Sequence, residues 1–289
     1  MLKNKLSTEI VCYKIKLLNK SKRGIMEKKP KCSVVMIAYN AEKYIKDTID
    51  SVLAQTMKDF ELIIVNDCSK DSTEEIIKSY TDPRIRYFKN KENLKISKTR
   101  NFGVSQAQTD YVAFLDSDDI WLDTKLERQL SFMQETGAKI CYSGYGFIAD
   151  DGALQNKVFN VPKQVDFKKL LKQNVITPSA SMFTKDLLVK YPFYAEQVHE
   201  DFVAFLQMLK NENIMAYGIN DPLIYYRLTN NSKSRNKVKA FVMTLKSYKE
   251  VGLNVFQRLY NLPFYVINGL KKYRGIKDAK NPGYIKKTT

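Results

Sequence analysis

The sequence predicts an α/β fold with a mostly parallel central sheet flanked by helices. Short apolar runs, such as SVVMIA at residues 33–38, are typical of strands buried on both faces. Segments with apolar residues at helical spacing separate these runs. Polar residues follow several of the runs, and in parallel sheets the ligand binds at such carboxyl ends of strands.

Strand and helix patterns alternate regularly in the first half of the chain. The predicted elements, in order, are a strand at 33–38, a helix at 40–55, a strand at 60–65, a helix at 72–80, a strand at 84–89, a helix at 97–107, a strand at 111–115 and a helix at 123–135. Such alternation favours parallel strands, because each crossover between parallel neighbours usually runs through a helix.

The pattern changes after the helix predicted at 123–135. AKICYSGYGFI leads to ADDG, whose Asp-Gly pair is typical of a hairpin turn. Residues 165–228 then predict a short helix, a small-residue segment (ITPSASMF), a helix from about Glu200 to Asn211 and two strands, MAYGI and LIYYRL.

Composition excludes several protein classes. Hydrophobic residues make up 44% of the 289 residues, too large a share for a disordered chain. Four scattered cysteines and one histidine give almost no support for a disulfide framework or a structural zinc site. Polar residues interrupt every apolar run before the ~18 residues that a spanning helix needs, and the N-terminus does not resemble a secretory signal. We therefore expect a cytoplasmic protein.

Positive charge is concentrated at the two ends. The formal net charge is +17, to which residues 1–31 contribute +8, residues 227–289 contribute +13 and residues 32–226 contribute −4. This distribution predicts a basic N-terminal arm at 1–31, an α/β domain at 32–226 and a basic amphipathic C-terminal extension at 227–289. Nucleic acid is not the expected partner, because a duplex reader usually carries its basic face on the folded module.

Three carboxylates follow the strand predicted at 111–115. Asp116, Asp118 and Asp119 come directly after YVAFL, and their mutual repulsion favours a bound cation. Such ligands suit Mg²⁺ or Mn²⁺, which proteins hold through one or two carboxylates plus substrate phosphates. DSDD is also good turn chemistry before a helix, so both interpretations stay open on this motif alone.

Four other side chains are candidates for the same site. Asp67 ends another buried strand and would reach the same sheet edge, although it could equally cap the next helix. Glu200 and Asp201 lie at the start of a predicted helix, where acids are often found because they interact favourably with the positive end of the helix dipole. One of them could instead be a general base, if the helix start faces the metal site. Arg100 could pair with phosphate or with an acidic strand end, or it could remain a solvated surface residue. A P-loop and a dinucleotide-binding motif are both absent from the sequence.

Four segments together resemble the inverting glycosyltransferases of family 2, which have the GT-A fold. IAYNAEKYIKDTIDSVLAQT resembles their first strand and helix, FELIIVNDCSKDST their nucleotide-binding strand, KTRNFGVSQAQTDYVAFLDSDDIW the segment that leads to their DxD motif, and HEDF their ED motif. The resemblance covers about residues 32–226. The Q-x-x-R-W signature of the processive members is absent, so we expect one sugar per visit.

The resemblance implies how a nucleotide would bind. Tyr39 would line the base, and Asp67 would accept a hydrogen bond from it, with uracil the expected base. Arg100 would approach the diphosphate, and Asp116 would hold the ribose side. Asn66 departs from the family pattern, because many relatives carry an acid there.

The resemblance also implies the chemistry. Asp118 would bind Mn²⁺ or Mg²⁺, with Asp119 in support, and Asp201 would be the general base, with Glu200 beside it. The activity would be transfer of one sugar, with inversion, from a UDP-sugar to a hydroxyl of a glycan or lipid-linked acceptor in cell-surface polysaccharide synthesis. Two alternatives stay open: a nucleotidyltransferase, and a nucleic-acid-binding module that uses the basic ends.

The two ends of the chain pose separate questions. Apolar residues recur among Lys and Arg from Lys237 to Lys272, with a break expected at Pro263. A basic amphipathic helix is typical of proteins that lie on an anionic membrane, here the inner face of the cell membrane, but it could instead pack on the domain. Residues 1–25 are expected to be either a dispensable translation-start extension or basic arm, or a helix that binds a membrane or packs on the core.

Overall fold

The computed structural model describes residues 29–194, 198–229 and 237–273. Within them one sheet contains ten strands. The strands are β1 (Cys32–Ala38), β2 (Phe60–Asn66), β3 (Ile85–Lys89), β4 (Tyr111–Asp116), β5 (Ile120–Trp121), β6 (Ile140–Ala149), β7 (Leu154–Phe159), β8 (Gln164–Val165), β9 (Ser181–Thr184) and β10 (Ala216–Leu228).

Helices cover both faces of this sheet. They are α1 (Ile45–Leu53), α2 (Thr73–Lys78), α3 (Lys95–Gln106), α4 (Lys125–Thr136), α5 (Phe167–Lys172), α6 (Lys185–Lys190), α7 (Glu200–Asn211), α8 (Lys237–Glu250) and α9 (Val255–Tyr273). A short 3₁₀ turn spans Pro178–Ala180. The predicted α/β class is therefore confirmed.

The first half of the sheet is parallel, as predicted. β1 lies between β2 and β4, and β2 also pairs with β3, all in parallel. Ala38 pairs with Asn66, and Ile37 pairs with Asp116. The carboxyl ends of β1, β2 and β4 therefore meet at one edge of the sheet.

The second half of the sheet is mixed. β9 pairs antiparallel with both β4 and β6, whereas β6 and β10 run parallel. The two strands predicted from MAYGI and LIYYRL are one long strand, β10, whose register shifts on both sides of Pro222. Proline has no N–H to donate to the ladder, which accounts for an irregularity there. β10 continues to Leu228, past the boundary predicted at 226.

Two apolar cores lie on opposite faces of the sheet. Along β1, Val34 and Met36 belong to one core and Val35 to the other, the period of two expected for a strand. Helix α3 lies close to β1 at Gly103, where an added Cβ would come within 2.4 Å of the Val35 side chain. A residue without a side chain is therefore needed at that contact.

The described part of the C-terminal extension packs on the domain. Tyr248 of α8 is fully buried, and its hydroxyl donates a hydrogen bond to the Leu171 carbonyl at 2.7 Å. The break predicted at Pro263 is wrong: this proline lies inside α9, and the chain turns earlier, at Gly252, whose φ is +78°. The N-terminal arm at 1–31, apart from its last three residues, lies outside the described residues.

Over the residues described, none of the helices combines the length and the apolar character that crossing a bilayer requires.

Candidate active site

The edge formed by β1, β2 and β4 places three predicted residues side by side. Tyr39 follows β1 directly, and its side chain is 48% exposed. The Asp67 N–H donates to the Ala38 carbonyl at 2.8 Å, which fixes Asp67 next to the end of β1. Asp116, the last residue of β4, lies on the other side of β1. This edge of the sheet therefore carries an exposed aromatic ring with an acid on each side.

Asp67 is buried and organises the neighbouring loop. One of its carboxylate oxygens accepts hydrogen bonds from Asn90 Nδ2 at 2.7 Å and the Leu94 N–H at 2.9 Å, and the other accepts from the Lys95 N–H at 3.0 Å. The carboxylate therefore holds residues 90–95 against the sheet edge and keeps one oxygen with capacity for a further donor.

Asn66, the last residue of β2, forms two hydrogen bonds at the same edge of the sheet. Its side-chain oxygen accepts from the Ser69 N–H at 2.9 Å, and its amide donates to the Tyr87 hydroxyl at 3.2 Å. Both polar groups of the Asn66 side chain are therefore used within the protein, where they shape the turn after β2. Of the two neighbours, Asp67 is the candidate for contact with a ligand.

The acidic loop, residues 116–119, and the residues just after it accept hydrogen bonds from α1 and the residues that follow that helix. Thr48 Oγ1 donates to the Ser117 carbonyl at 3.0 Å, and Gln55 Nε2 donates to the Leu122 carbonyl at 2.7 Å. Thr48 lies in α1, and Gln55 lies two residues past its end at Leu53. Helix α1 and the residues that follow it thus order the loop backbone through its carbonyl groups, without using its carboxylates.

Ser179 forms two hydrogen bonds with residues at either end of the acidic loop. Its hydroxyl accepts the Asp116 N–H at 3.0 Å, and its carbonyl accepts Trp121 Nε1 at 2.8 Å. The same hydroxyl faces the fully buried Asp119 carboxyl. The ITPSASMF segment, noted in the sequence only for its small residues, therefore belongs to the site.

Arg227, near the end of β10, forms hydrogen bonds with two residues of the acidic loop. Its N–H donates to Asp119 Oδ1 at 2.8 Å, and its Nε donates to the Asp118 carbonyl at 2.7 Å. Its Nη1 reaches the Ala149 carbonyl at 3.2 Å, and the guanidinium stacks over the Tyr44 ring at 4.8 Å. Sequence reasoning missed this residue, and the only signal was a charged residue within the apolar run LIYYRL.

The electrostatics of the loop favour a cation. Burial, with the Asp116 charge as the next cause, raises the pKa of Asp118 to about 6. Burial also raises the pKa of Asp119 well above its usual range. Carboxylates crowded in this way are stabilised by a positive ion.

The donor set fits a hard divalent ion. In the part of the chain that is described, no group of three or more His, Cys, Asp or Glu could hold a metal ion by itself. Mg²⁺ and Mn²⁺ do not need such a cage, since they are held through one or two carboxylates plus substrate phosphates. Asp118, with Asp116 beside it, matches that mode.

Arg100 lies within the site and is not a solvated surface residue. It is 2% exposed, and its Nη2 pairs with Asp116 Oδ1 at 3.2 Å. Its guanidinium packs over the rings of Phe193 and Phe114, at 4.9 and 5.5 Å from their centroids. Its Nε and Nη1 are buried without a hydrogen-bond partner among the described residues. A buried guanidinium with unused donors is suited to an anionic ligand.

Asp201 is linked to this centre through Arg100. Burial and the neighbouring Glu200 raise the pKa of Asp201, whereas His199 and Arg100 counteract the rise. Arg100 therefore acts electrostatically on both Asp201, in the first turn of α7, and Asp116, at the end of β4. The predicted general base and the acidic loop thus converge on one guanidinium.

The C-terminal helix α8 holds the start of α7, where Asp201 lies. The His199 N–H donates to Ser247 Oγ at 3.2 Å, and His199 Nε2 lies 3.3 Å from the Ala240 carbonyl. The extension outside the predicted domain is therefore part of the framework that positions Asp201.

The chain matches the family model of glycosyl transferase family 2 over residues 33–191. TuaG of Bacillus subtilis (strain 168), whose name ties it to teichuronic acid biosynthesis, is 37% identical over 247 residues, covering 84% of this chain and 98% of TuaG. WfgD of Escherichia coli, named as a UDP-Glc:alpha-D-GlcNAc-diphosphoundecaprenol beta-1,3-glucosyltransferase, is 34% identical over 242 residues, covering 83% of this chain and 94% of WfgD.

A solved structure shares the fold. S. aureus TarS 1-349 in complex with UDP-GlcNAc superposes with a TM-score of 0.63 at 20% identity, covering 84% of this chain and 76% of that one. The family match, the relatives and the α/β architecture agree with one another. The chain therefore belongs to glycosyl transferase family 2, is a glycosyltransferase enzyme and has the GT-A fold.

Proposed function

We propose that this enzyme transfers one sugar, with inversion, from a UDP-sugar to a hydroxyl of a lipid-linked glycan during bacterial cell-surface polysaccharide synthesis. It would do so with a divalent metal, in the cytoplasm at the inner face of the cell membrane. The observation that carries the proposal is Arg100, which pairs with Asp116 at 3.2 Å and acts electrostatically on Asp201. One buried cation thereby joins the acidic loop to a carboxylate suited to proton transfer.

The donor would lie along the edge formed by β1, β2 and β4. Tyr39 offers an exposed ring for a base, and Asp67 retains an oxygen that can accept from it. Asp116 would face the ribose, and Arg100 would donate its unused Nε and Nη1 to the diphosphate. The relatives support a uridine nucleotide: WfgD is named for UDP-Glc, and TarS was solved with UDP-GlcNAc.

Asp118 would hold the metal, Mn²⁺ or Mg²⁺, with Asp119 and Arg227 fixing its loop. When bound, the ion would neutralise the charge that develops on the departing diphosphate. Arg100, which is itself buried, would add a second positive charge beside the same leaving group.

Asp201 would act as the general base. Its raised pKa brings it closer to that of an efficient base near neutral pH, because a stronger base accepts the proton of a hydroxyl more readily. The acceptor oxygen would lose its proton to Asp201 as it attacks the anomeric carbon from the face opposite the diphosphate. The configuration at that carbon would invert.

The alternative of a nucleotidyltransferase is inconsistent with membership of glycosyl transferase family 2. No described feature favours the alternative of a nucleic-acid-binding module. The acceptor class rests on WfgD, whose name specifies a sugar on diphosphoundecaprenol.

A direct test uses the purified full chain with Mn²⁺, a panel of UDP-sugars and a GlcNAc-diphospho-lipid acceptor. UDP release should require metal and acceptor together, and a UDP-sugar should raise the melting temperature by mass action. NMR of the product should show the inverted anomer. A retained anomer would contradict the role of Asp201, and stabilisation by none of the UDP-sugars would contradict the donor assignment.

A further inference from the structure

Helix α9 has apolar residues on two opposite faces. Its inner face packs on the domain: the Tyr265 ring lies 5.4 Å from the Phe202 ring, and Asn268 Nδ2 donates to the Lys172 carbonyl at 3.1 Å. These contacts fix the rotation of the helix about its axis. The opposite face is therefore held towards the outside.

That outer face is a continuous apolar stripe. At 100° per residue, six apolar positions fall within about a third of the helix circumference. We call them the outer stripe: Phe256, Leu259, Tyr260, Pro263, Ile267 and Leu270. Phe256 is 83% exposed, Leu259 and Tyr260 are each 61% exposed, and the remaining members are also exposed. Scattered exposed apolar residues need no explanation, but a stripe along a whole helix indicates a binding surface.

The surroundings of the outer stripe are basic. No acidic residue occurs between Val251 and Lys277. At 100° per residue, the exposed Lys271 of α9 lies about 20° around the helix from Tyr260, at the edge of the stripe. The neighbouring helix α5 has the sequence FKKLLK, and Lys172 Nζ lies 5.5 Å from the Tyr260 ring and 5.0 Å from the Phe264 ring. Aromatic and aliphatic side chains flanked by lysines are typical of helices that lie in the headgroup region of an anionic bilayer.

We propose that the outer stripe is the docking surface of this enzyme for an anionic bilayer, with α9 lying flat in the interface. The proposal deepens the proposed function, because a lipid-linked acceptor is presented at such a surface. Helix α8, which precedes α9, contacts His199 beside Asp201. The inner face of α9 contacts the same region directly, because Tyr265 packs on Phe202, the residue after Asp201. A bilayer under α9 would therefore lie across that helix from the start of α7.

A second copy of the chain fits this surface less well. In a two-fold dimer the same patch faces itself, so the lysines around the two stripes, such as Lys172 and Lys271, would be brought together. Like charges at an interface oppose association, whereas anionic headgroups neutralise them. Charge complementarity therefore favours lipid.

The test is co-sedimentation of the full chain with vesicles. The wild type should bind vesicles containing phosphatidylglycerol and should bind pure phosphatidylcholine much more weakly. The double variant Phe256→Glu/Leu259→Glu should lose at least ~10-fold in affinity for the anionic vesicles, since it places two charges in the apolar stripe. Val189→Glu is the matched control, because Val189 is 62% exposed on α6, away from the stripe. Its binding should equal that of the wild type.

Three results would overturn the proposal. The first is a wild type that does not bind anionic vesicles, and the second is a double variant that binds as well as the control at unchanged melting temperature. The third is a wild-type dimer in light scattering that the double variant dissociates. Transfer to a water-soluble acceptor analogue separates this proposal from the proposed function: it should persist in the double variant, and its absence in the wild type would count against the transfer reaction alone.

Discussion

The two halves of the sheet build the site in different ways. In the first half, β1, β2 and β4 run parallel, and each contributes the residue at or just after its carboxyl end: Tyr39, Asp67 and Asp116. In the second half the sheet is mixed, and Ser179, Arg227 and Asp201 come from a 3₁₀ turn, a strand end and a helix start. The first half is organised by local repetition, whereas the second depends on contacts between distant segments.

This difference predicts that the two groups of residues affect different steps of the reaction. Residues of the parallel half should govern nucleotide and metal binding, and residues of the mixed half should govern turnover. Arg227 belongs to the mixed half but contacts the acidic loop, so it should affect both.

The largest expected effect is that of Asp201→Asn. If Asp201 is the base, turnover should fall by ~10²-fold or more while UDP-sugar affinity stays near that of the wild type. Steady-state kinetics together with calorimetric UDP binding would measure both. Asp221→Asn, at an acid of β10 that pairs with Arg128 on the surface, is the control and should leave both quantities unchanged. Equal losses in turnover and affinity would instead indicate a structural helix cap.

Asp118→Asn should give the opposite pattern. The substitution removes the proposed metal ligand, so metal-dependent UDP binding should weaken by ~10²-fold while the melting temperature without ligand stays within a few degrees of the wild type. Calorimetry with and without Mn²⁺ would test this. If Asp118→Asn bound UDP as tightly as the wild type in the presence of Mn²⁺, Asp118 would not be the metal ligand, and the proposal that the parallel half binds the metal would be wrong.

Arg227→Lys should affect both halves, with a smaller effect. Lysine keeps the charge but cannot reach the Asp118 and Ala149 carbonyls together or stack flat on Tyr44. We expect destabilisation of ~1–3 kcal/mol and an apparent Mn²⁺ affinity ~10-fold weaker. Denaturant unfolding and metal titrations would measure these changes. Arg128→Lys is the control, since among the residues described the Arg128 guanidinium forms an exposed pair with Asp221, away from the acidic loop.

The smallest expected effect is a shift of the pH profile in Glu200→Gln. The Glu200 charge helps to raise the pKa of Asp201, and a base works only when deprotonated, so activity should fall as pH decreases through that pKa. Removing the charge should lower the pKa and move the acid limb of the kcat profile to lower pH by up to ~1 unit. A shift to higher pH would contradict the proposed arrangement of charges.

Much of the parallel half could be read from the sequence. Continuous apolar runs can be satisfied only by strands covered on both faces, and polar residues directly after them must lie at the edge where the strands end. Asp67, Asp116 and Asp118 were therefore placed correctly relative to one another, and the family resemblance was confirmed by the family match. The functions assigned to these residues remain predictions.

Contacts between distant segments position the other parts of the site. For Arg100 the resemblance implies a place near the diphosphate, but the residue type alone does not separate it from a surface arginine; its burial against Phe114 and Phe193 does. Arg227 and Ser179 act on a loop more than 50 residues away along the chain, and no local pattern encodes such a pair.

The α/β class, the parallel half and the basic character of the C-terminal extension follow from residue types and short-range periodicity, so the amino-acid sequence is enough to predict them. Long-range packing is needed to show that β10 is one strand, that α9 continues through Pro263 and which of the apolar faces of α9 is covered. A helix that is apolar on two sides can pack with either side inward. The choice depends on the shape of the surface it meets, and that surface forms only when α5, α7 and α8 come together.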